Sequence, residues 1–383
     1  MKRVYHRGFL ILSKLLLWVG YVCLPFIKLK KINSSNYAVL PYTPENWPGG
    51  KDRMAAWKPY FAEISAAYSI FWAWQEDEMQ IILEYGGSEN VVPAYKVYTK
   101  ILIRRFRLLF SLRNYKSVWV QRAFVPSFPF RNAYFERLAS FIHPYIVYDF
   151  YDADYIHNKN LVDQTARLAF RVSVASKHLY NYFSNLNPAT FFLRYAIIAD
   201  HFIEKPTNND AQTIHIGWMG SPDNAKQLIE ISAALSKLEE EFEHIVFSFT
   251  CRKLPKLPFA RLERHSWGDE GFSYNTWLAG LDIGIVPYMH PTETVKAKIA
   301  MKSLEFMGNA VPMVVSPYMH SDMLVHGRDV YIASTTDDWY EMLKALIISK
   351  EKRTAMGKAA KLIFDTYHSF RNNFEQLKQI LEP

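Results

Sequence analysis

The chain has 383 residues, half of them hydrophobic, which is enough for two globular domains that each have their own core. Its two cysteines, Cys23 and Cys251, lie far apart without His or Cys neighbours at ligand spacing, which argues against a disulfide framework or zinc site and agrees with a reducing compartment. Of the net charge of +8, residues 1–31 contribute seven basic side chains and no acidic one. A nucleic-acid-binding protein would instead carry its basic patch on the folded body.

The basic N-terminal segment, residues 1–31, contains the apolar run GFLILSKLLLWVGYVCLPFI. No small-residue cleavage site follows it, which disfavours a signal peptide. The run is barely long enough for a helix that spans a membrane, and it contains Lys14. Because basic residues flank the run on both sides, the positive-inside rule gives no orientation for such a helix. We therefore predict a membrane-associated segment that lies in or dips into the interface, with Trp18 and Tyr21 at headgroup level. A helix buried against the body of the protein is the alternative.

Strand and helix patterns alternate through residues 32–203. The predicted elements, in chain order, are a strand at 37–42, a helix from about Asp52, a strand at 68–74, a helix over about 92–113, a strand at 117–124, a helix at 135–142, a strand at 145–150, and a strand passing into a helix at 172–179. Strands separated by helices form βαβ units and a parallel sheet. We predict an N-terminal Rossmann-like domain over 32–203.

A polar stretch at 204–212 is predicted to be a linker, after which the alternation restarts. The second series is a strand at 213–220, a helix over about 224–242, a strand at 244–250, a helix near 273–280, a strand at 281–288, a helix that includes 298–308, a strand at 311–316, and a helical final 50 residues. Residues 213–360 form the second Rossmann-like domain, and 361–383 a C-terminal helix that can pack back on the first. The predicted fold class is α/β, with two doubly wound domains and ligands in the cleft between them.

The first candidate motif is IGWMGSPDNAK at 216–226. Gly217 and Gly220 bracket the end of a strand, and Ser221 precedes the start of a helix. Glycine lets a backbone approach a phosphate, and a helix N-terminus presents free N–H groups and a positive dipole end. Lys226 would add a point charge. The motif predicts an anion site, and a plain tight turn is the equally weighted alternative.

Two further motifs follow in the second domain. Trp267 precedes an acidic turn, where it can stack on a nucleobase or simply pack in the loop. In KAKIAMKSLEFMGNAVPMVVSP, the spacings of four and three place Lys298, Lys302 and Glu305 on one face of a helix. Two lysines favour a bound anion, and Glu305 can accept hydrogen bonds from sugar hydroxyls. A solvated salt-bridge face is the alternative.

In this order the motifs resemble the donor-binding half of bacterial glycosyltransferases of the GT-B fold, notably family 4. IGWMGS is similar to the first strand and glycine loop of that half, LDIGIVPY to its D-I-G strand, and AKIAMKSLEFMGNAVPMVVSP to its segment with two lysines and a glutamate. In the N-terminal half, VWVQRAFVPSFP and IVYDFYDADY are similar to paired elements of polysaccharide enzymes in this group. The resemblance covers most of residues 37–383.

The resemblance implies a nucleotide-sugar donor in the C-terminal domain, an acceptor in the N-terminal domain and retention of configuration. Glu305 would bind the donor ribose and is a catalytic candidate, Lys298 and Lys302 would face the diphosphate, and Lys226 would take the place of the basic residue after the glycine loop. The resemblance implies no metal and no cofactor, because lysines and helix dipoles neutralise the leaving diphosphate.

The sequence departs from the family pattern at three places. Ala297 stands where family 4 often has an acidic residue, and Ala310 stands where a glycine is expected. The second glycine loop is replaced by TCRK, which makes Arg252 a donor-binding candidate. These departures affect recognition of the sugar more than that of the diphosphate.

The acceptor candidates share positions at the carboxyl ends of predicted strands in the first domain: Gly49, Gly50, Arg122, Asp149 and Asp154, with Asp152 as the catalytic candidate. A carboxylate there can orient the acceptor hydroxyl or cap the next helix. The glycines can instead form an ordinary turn and Arg122 a structural ion pair. A metal site at Asp152 and Asp154 is a minor alternative.

The stretch ILIRRFRLLFSLRNYK (101–116) carries four arginines among large apolar residues. It predicts either a second membrane-facing surface, and then a lipid-linked acceptor, or a helix that packs its apolar face and solvates its arginines.

The leading functional prediction is a membrane-associated glycosyltransferase, peripheral or monotopic at the cytoplasmic face of the cell membrane. It would use a nucleotide sugar and a lipid-linked or saccharide acceptor in cell-surface polysaccharide or glycolipid synthesis, without nucleic acid. A non-catalytic GT-B-like partner or anchor protein is the alternative. An epimerase or phosphorylase of this fold would not explain the basic anchor, and a nicotinamide-dependent enzyme would need G-x-G-x-x-G after its first strand.

Overall fold

The computed structural model describes residues 2–32, 34–85, 90–125, 130–198, 202–203, 213–290, 292–298 and 300–383. The chain forms two compact units: unit 1 is Met1–Ala196 with Asn373–Pro383, and unit 2 is Ile197–Asn372. The predicted linker at 204–212 lies outside the described residues.

The strands form two parallel sheets of six strands each, one in each unit. They are β1 (Tyr37–Leu40), β2 (Tyr68–Ile70), β3 (Ser117–Gln121), β4 (Ile146–Phe150), β5 (Arg171–Val174), β6 (Thr190–Phe192), β7 (Ile214–Met219), β8 (Ile245–Thr250), β9 (Leu262–His265), β10 (Ile283–Val286), β11 (Met313–Val315) and β12 (Tyr331–Ile332). The strand orders are β2-β1-β3-β4-β5-β6 in unit 1 and β12-β11-β10-β7-β8-β9 in unit 2.

Helices connect the strands as the predicted βαβ pattern requires. They are α1 (Lys2–Lys28), α2 (Pro48–Lys51), α3 (Lys58–Glu63), α4 (Glu76–Tyr85), α5 (Val92–Leu109), α6 (Tyr134–Ile142), α7 (Tyr155–Leu168), α8 (Lys177–Ser184), α9 (Pro222–Ala225), α10 (Gln227–Glu230), α11 (Ser232–Glu241), α12 (Tyr274–Ala279), α13 (Glu293–Ala297), α14 (Met301–Gly308), α15 (Thr336–Ile348), α16 (Lys350–Tyr367) and α17 (Phe370–Leu381). Short 3-10 turns occur at Ala55–Trp57 and Leu112–Asn114.

The central strands of both sheets are buried along their whole length, as in β3, β4 and β10. A parallel strand covered by helices on both faces reads as a continuous apolar run, which is why these strands could be predicted. The predicted α/β class, with two Rossmann-like domains and an N-terminal apolar helix, is confirmed.

The predicted helix over 224–242 was wrong as a single element. The segment forms α9, α10 and α11, and it leaves helical geometry at Ile231, where φ is −106° and ψ is 6°. The strands β6, β9 and β12 were not predicted, and β6 has only three residues, one of them buried. In β9 no residue is fully buried and β12 has only two residues, so neither carries an apolar run that marks a strand.

Helix α1 lies along unit 1 with one face packed on the helices beneath it. His6 Nδ1 is 2.9 Å from the Tyr95 hydroxyl of α5, and a Cβ atom on Gly20 would stand 2.4 Å from Leu138 of α6. The outer face exposes a stripe of apolar side chains: Val4, Ile11, Leu15, Trp18, Val22 and Phe26. By length and composition alone, α1 is also long and apolar enough to cross a membrane.

The end of the chain is held against the first sheet. The Tyr37 hydroxyl of β1 donates to Glu382 at 2.7 Å, and Arg171 of β5 donates to the Ile380 carbonyl at 3.1 Å. The Phe374 ring lies 5.1 Å from that of Phe61. These contacts place Asn373–Pro383 in unit 1.

Candidate functional site

The order of strands locates one crevice in each unit. In unit 2 the chain runs outward from β7 to β9 on one side and from β10 to β12 on the other, so the order reverses between the paired strands β7 and β10. In unit 1 it reverses between β1 and β3, which are also paired. Open α/β sheets bind ligands at the carboxyl ends of strands at such a reversal.

At the unit 2 reversal the structure brings together a set of residues that we call the lysine cluster. Its members come from five segments: Gly220 after β7, Tyr274 in α12, Tyr288 after β10, Lys298 after α13, and Lys302 and Glu305 in α14. Lys302 Nζ lies 5.0 Å from the centre of the Trp218 ring and 5.2 Å from that of Tyr288.

The charge state of Lys302 is set by its surroundings. Burial and, to a smaller extent, the neighbouring Lys298 together lower its pKa to about 7, while Glu305 opposes both. Lys298 Nζ lies 5.5 Å from the centre of the same Tyr288 ring. Two cations therefore converge on one ring, and an arriving anion would stabilise the charged form of Lys302.

The predicted single helix carrying Lys298, Lys302 and Glu305 was wrong. The chain is extended at Lys298, with φ −60° and ψ 147°, and α14 begins at Met301. Lys302 and Glu305 share one helical face, whereas Lys298 approaches from the connecting segment. The two lysines still meet, because both side chains reach Tyr288.

Gly220 and Gly217 are needed for different reasons. A Cβ atom on Gly220 would stand 2.8 Å from the Trp218 ring and 3.1 Å from Lys302 Nζ, so a larger residue here would displace one or both of these side chains. Gly217 lies inside β7, where a Cβ atom would stand 2.2 Å from the Leu281 side chain. The absence of a side chain at Gly217 is thus explained by packing against Leu281.

Glu305 is oriented by an aromatic side chain that sequence reasoning missed. The Tyr274 hydroxyl donates to Glu305 Oε2, and it also lies 3.3 Å from the sulfur of Met219. Burial, with the Glu305 charge next, raises the pKa of Tyr274, so the hydroxyl keeps its proton and remains a donor. Trp267 is 40% exposed, and its ring centre lies 6.3 Å from that of Tyr274.

The remaining donor candidates of unit 2 are exposed. Ser221 stands at the N-cap of α9, and Arg252 follows β8. Lys226 Nζ lies 3.3 Å from Asp223, with both side chains largely exposed, as in an ordinary surface pair. All three follow strands whose carboxyl ends lie at the edge of the sheet that also carries Gly220.

At the unit 1 reversal, Arg122 is the centre of an arginine–aspartate cluster. It follows β3 with a positive φ of 63°, pairs with Asp152, and lies 3.2 Å from Asp154. Its guanidinium also stacks over Tyr151 at 4.6 Å and Tyr42 at 5.2 Å. Burial raises the pKa of Asp154 to about 6, against the opposing charge of Arg122.

Asp149 belongs to the core of unit 1. It is fully buried, accepts from Arg53 at 2.7 and 3.1 Å, and accepts from Ser173 at 2.6 Å. Arg53 also donates to the Leu193 carbonyl at 2.8 Å. Both carboxylate oxygens of Asp149 are thus engaged in structural contacts.

The predicted glycine turn lies beside Arg122. The Gly49 carbonyl accepts from Gln121 at 2.6 Å, and a Cβ atom there would stand 2.4 Å from the Tyr151 hydroxyl. A Cβ atom on Gly50 would stand 2.8 Å from the Trp72 ring. In the structure Gly49 and Gly50 lie in the short helix α2, and neighbouring side chains leave no space for a Cβ atom at either position.

The pair predicted as alternative metal ligands, Asp152 and Asp154, contacts Arg122. Across the described ranges, no three or more His, Cys, Asp or Glu side chains are grouped so that they could hold a metal ion.

The two parallel sheets, each with helices between its strands and one reversal of strand order, have the architecture of the GT-B fold. Residues 232–379 match the family model described as "Glycosyl transferase-like". HepE of Anabaena, solved with UDP and glucose, is similar at 12% identity and a TM-score of 0.61, over 90% of this chain and 99% of that one. A glycosyltransferase of Rickettsia africae is similar at 11% identity and a TM-score of 0.63, over 90% and 98%.

A trehalose-6-phosphate protein of E. coli, bound with UDP-2-fluoro glucose, is similar at 11% identity and a TM-score of 0.55, over 91% of this chain and 99% of that one. At these identities the likeness concerns the fold. No curated protein sequence matches this chain. The predicted GT-B resemblance is confirmed.

Proposed function

We propose that this protein is a glycosyltransferase that takes a sugar from a nucleotide-sugar donor, with retention of configuration and without a metal ion. The observation that carries the proposal is the convergence of Lys298 and Lys302 on Tyr288 at the reversal of the second sheet. HepE, a protein of the same fold, was solved with UDP and with UDP-glucose, and we infer the same class of ligand here.

The lysine cluster supplies the charge that a departing diphosphate requires. Lys302 and Lys298 would hold the two phosphates, and the backbone at Gly220 leaves room for one of them to approach. Fixed cations in a partly buried site stabilise charge that develops on the leaving group, which is the largest contribution that a protein makes to such a transfer.

Glu305 would accept hydrogen bonds from the ribose hydroxyls. The Tyr274 hydroxyl donates to Oε2 of Glu305 and helps to fix the orientation of this carboxylate. Trp267, next to Tyr274 and partly exposed, would stack on the base. Ser221, Lys226 and Arg252 are proposed as outer donor contacts.

The acceptor would bind at the arginine–aspartate cluster of unit 1. Asp152, at 39% exposure, would orient the acceptor hydroxyl, and Arg122 would hold an anionic group of the acceptor. Asp154 supports Arg122 from its buried side. Asp149 is left out of this proposed set because Arg53 and Ser173 engage it in the core.

The exposed stripe of α1 supports membrane attachment. Its apolar side chains are flanked by the basic residues of the segment 1–31, a combination typical of a helix at an anionic interface. We propose a monotopic protein at the cytoplasmic face of the membrane, where it would serve cell-surface polysaccharide or glycolipid synthesis with a lipid-linked or saccharide acceptor.

Calorimetric titration of the full chain with UDP and UDP-glucose tests the donor site. We expect binding by the natural protein and a loss of at least tenfold in affinity for Lys302→Met. Lys296→Met is the matched control, because Lys296 pairs with Glu293 at 2.9 Å on α13. This variant should bind UDP with the affinity of the natural protein.

A non-catalytic partner of the same fold is favoured by one observation. Ala297, which is fully buried, stands where an acidic residue was expected, and alanine supplies no acidic group. Absence of affinity for any nucleoside diphosphate would establish this alternative against the enzyme.

A further inference from the structure

A groove of about 770 Å³ opens in unit 1 between the segment after β2 and one face of α5. Its walls are largely apolar and are formed by Ile70, Phe71, Trp72, Ile103 and Leu108. The strand β2 is the edge of the sheet, so the groove lies outside the reversal at which Arg122 is placed.

The same face of α5 carries four cations into the groove lining: Lys100, Arg104, Arg105 and Arg107. Arg104 is neutralised by Glu78, which it contacts at 2.9 and 3.1 Å. Lys100 and Arg107 are exposed. None of the described residues that line the groove is acidic. The groove therefore combines an apolar wall with uncompensated positive charge.

Arg105 lies beneath this surface with its hydrogen-bonding capacity partly unused. It is 1% exposed and donates from Nη2 to the Pro41 carbonyl at 2.8 Å, while Nε and Nη1 have no hydrogen-bond partner among the described residues. Burial, with the Arg104 charge next, lowers its pKa to about 9. A guanidinium buried without a counter-charge is unfavourable, and an anion bound nearby would offset that cost.

Two neighbours connect the groove with the rest of the proposed machinery. The Trp72 ring lies 2.8 Å from where a Cβ atom of Gly50 would stand, which places one wall against the predicted acceptor turn. On another face of α5, Tyr95 contacts His6 of α1, the helix with the exposed apolar stripe. Helix α5 therefore both lines the groove and packs against α1, the proposed membrane anchor.

We propose that this groove binds a lipid phosphate, with Lys100 and Arg107 on the phosphate and the hydrocarbon chain along Trp72, Ile103 and Leu108. The inference names the class of acceptor carrier and in that respect depends on the proposed function. Lipid binding itself requires no donor, so it can be tested separately from sugar transfer.

Photolabelling locates the bound lipid directly. The full chain is mixed with phosphatidylcholine vesicles that contain phosphatidic acid with a diazirine in its acyl chain, and cross-linked peptides are identified by mass spectrometry. We expect labels in residues 70–75 and 100–108 in addition to α1. A diacylglycerol probe of the same acyl chain, which lacks the phosphate, should label α1 but label the groove at least fivefold less.

Charge reversal is the decisive variant. Lys100→Glu with Arg107→Glu should reduce labelling of the groove at least fivefold, with unchanged thermal unfolding and unchanged labelling of α1. Lys96→Glu, an exposed lysine one turn earlier on α5, is the matched control and should be labelled normally.

Labelling confined to α1, or labelling of the groove that ignores the charge reversal, would overturn the inference. Loss of groove labelling in the presence of 10 mM inorganic phosphate would assign the cations to free phosphate and would equally overturn it. Failure of UDP binding alongside a labelled groove would reject the donor site and leave the lipid site standing.

Discussion

Lys302 is the residue on which the proposed chemistry depends most. Its ammonium group lies between two aromatic rings, close to a second cation, and its pKa of about 7 means that it is only partly charged at neutral pH. A lysine in this state can bind a diphosphate more strongly as it takes up a proton.

Donor binding should therefore be coupled to proton uptake. Below pH 7 the free protein already carries the charge, whereas above pH 7 it must gain a proton when UDP binds. We expect affinity to fall by up to about tenfold per pH unit between pH 7.5 and 9, because one proton is coupled to binding. Calorimetry at pH 8 in buffers of different ionisation enthalpy would measure the proton directly, and Lys302→Met should abolish the dependence on buffer.

Gly220 provides a second test at the scale of one residue. Its substitution by alanine places a Cβ atom against the Trp218 ring and Lys302 Nζ. Since backbone and indole are both fixed by the core, we expect the lysine to move and the affinity for UDP to fall about tenfold, roughly 1.4 kcal/mol. Gly8→Ala, where nothing lies within 4 Å of the new atom, should bind UDP normally. Equal affinity in both variants would contradict the placement of the diphosphate at Gly220.

At the scale of the element, α14 ends in a Schellman motif with an alanine where glycine is preferred. The Val311 amide donates to the Phe306 carbonyl at 2.9 Å and the Ala310 amide to the Met307 carbonyl at 3.0 Å, while Ala310 has a φ of 54°. The resemblance to family 4 predicts a glycine at the position of Ala310. The structure shows why glycine is preferred at position 310: the backbone there is left-handed, and this conformation is costly for a residue with a Cβ atom.

Ala310→Gly should accordingly stabilise unit 2 by about 1 kcal/mol, because it relieves the left-handed strain. Urea unfolding followed by the fluorescence of the tryptophans would measure the change. Ala355→Gly, at an exposed helical position of α16, is the matched control and should destabilise by about 1 kcal/mol. A loss of stability in both variants would show that Ala310 is not strained.

At the scale of the whole molecule, α1 serves two surfaces at once. Its inner face packs on α5 and α6 through Phe9 and Gly20, and its outer face exposes apolar side chains. Deleting residues 1–31 would thus uncover Phe106 and Leu138 as well as remove the anchor. Substitutions on the outer face alone give the cleaner experiment.

Ile11→Glu combined with Trp18→Glu should move the protein from the membrane fraction to the soluble fraction without changing its thermal unfolding. Both side chains are more than 60% exposed, so charge there costs membrane binding and not packing. Leu362→Glu, on α16 and 67% exposed, is the matched control and should stay with the membranes. Retention of the double variant in the membrane fraction would place the anchor elsewhere, with residues 101–116 as the candidate.

The sequence by itself determined the two α/β domains and the positions of their central strands along the chain. Strands such as β3 and β10 are buried on both faces, so their apolar runs were visible without any partner. It also determined that Lys302 and Glu305 share a helical face, because that relation depends only on local periodicity. Edge strands such as β9, which bury little, could not be recognised in this way.

The tertiary structure alone decided which residues meet. Tyr274 contacts Glu305, which lies 31 positions later in the sequence. Arg53 donates to Asp149, which lies 96 positions later. It also decided that the chain leaves helical geometry at Lys298, and that Arg105 is buried with no carboxylate of the described residues at hydrogen-bonding distance. These relations arise from the packing of distant segments at the sheet edges, and no local pattern of residues encodes such packing.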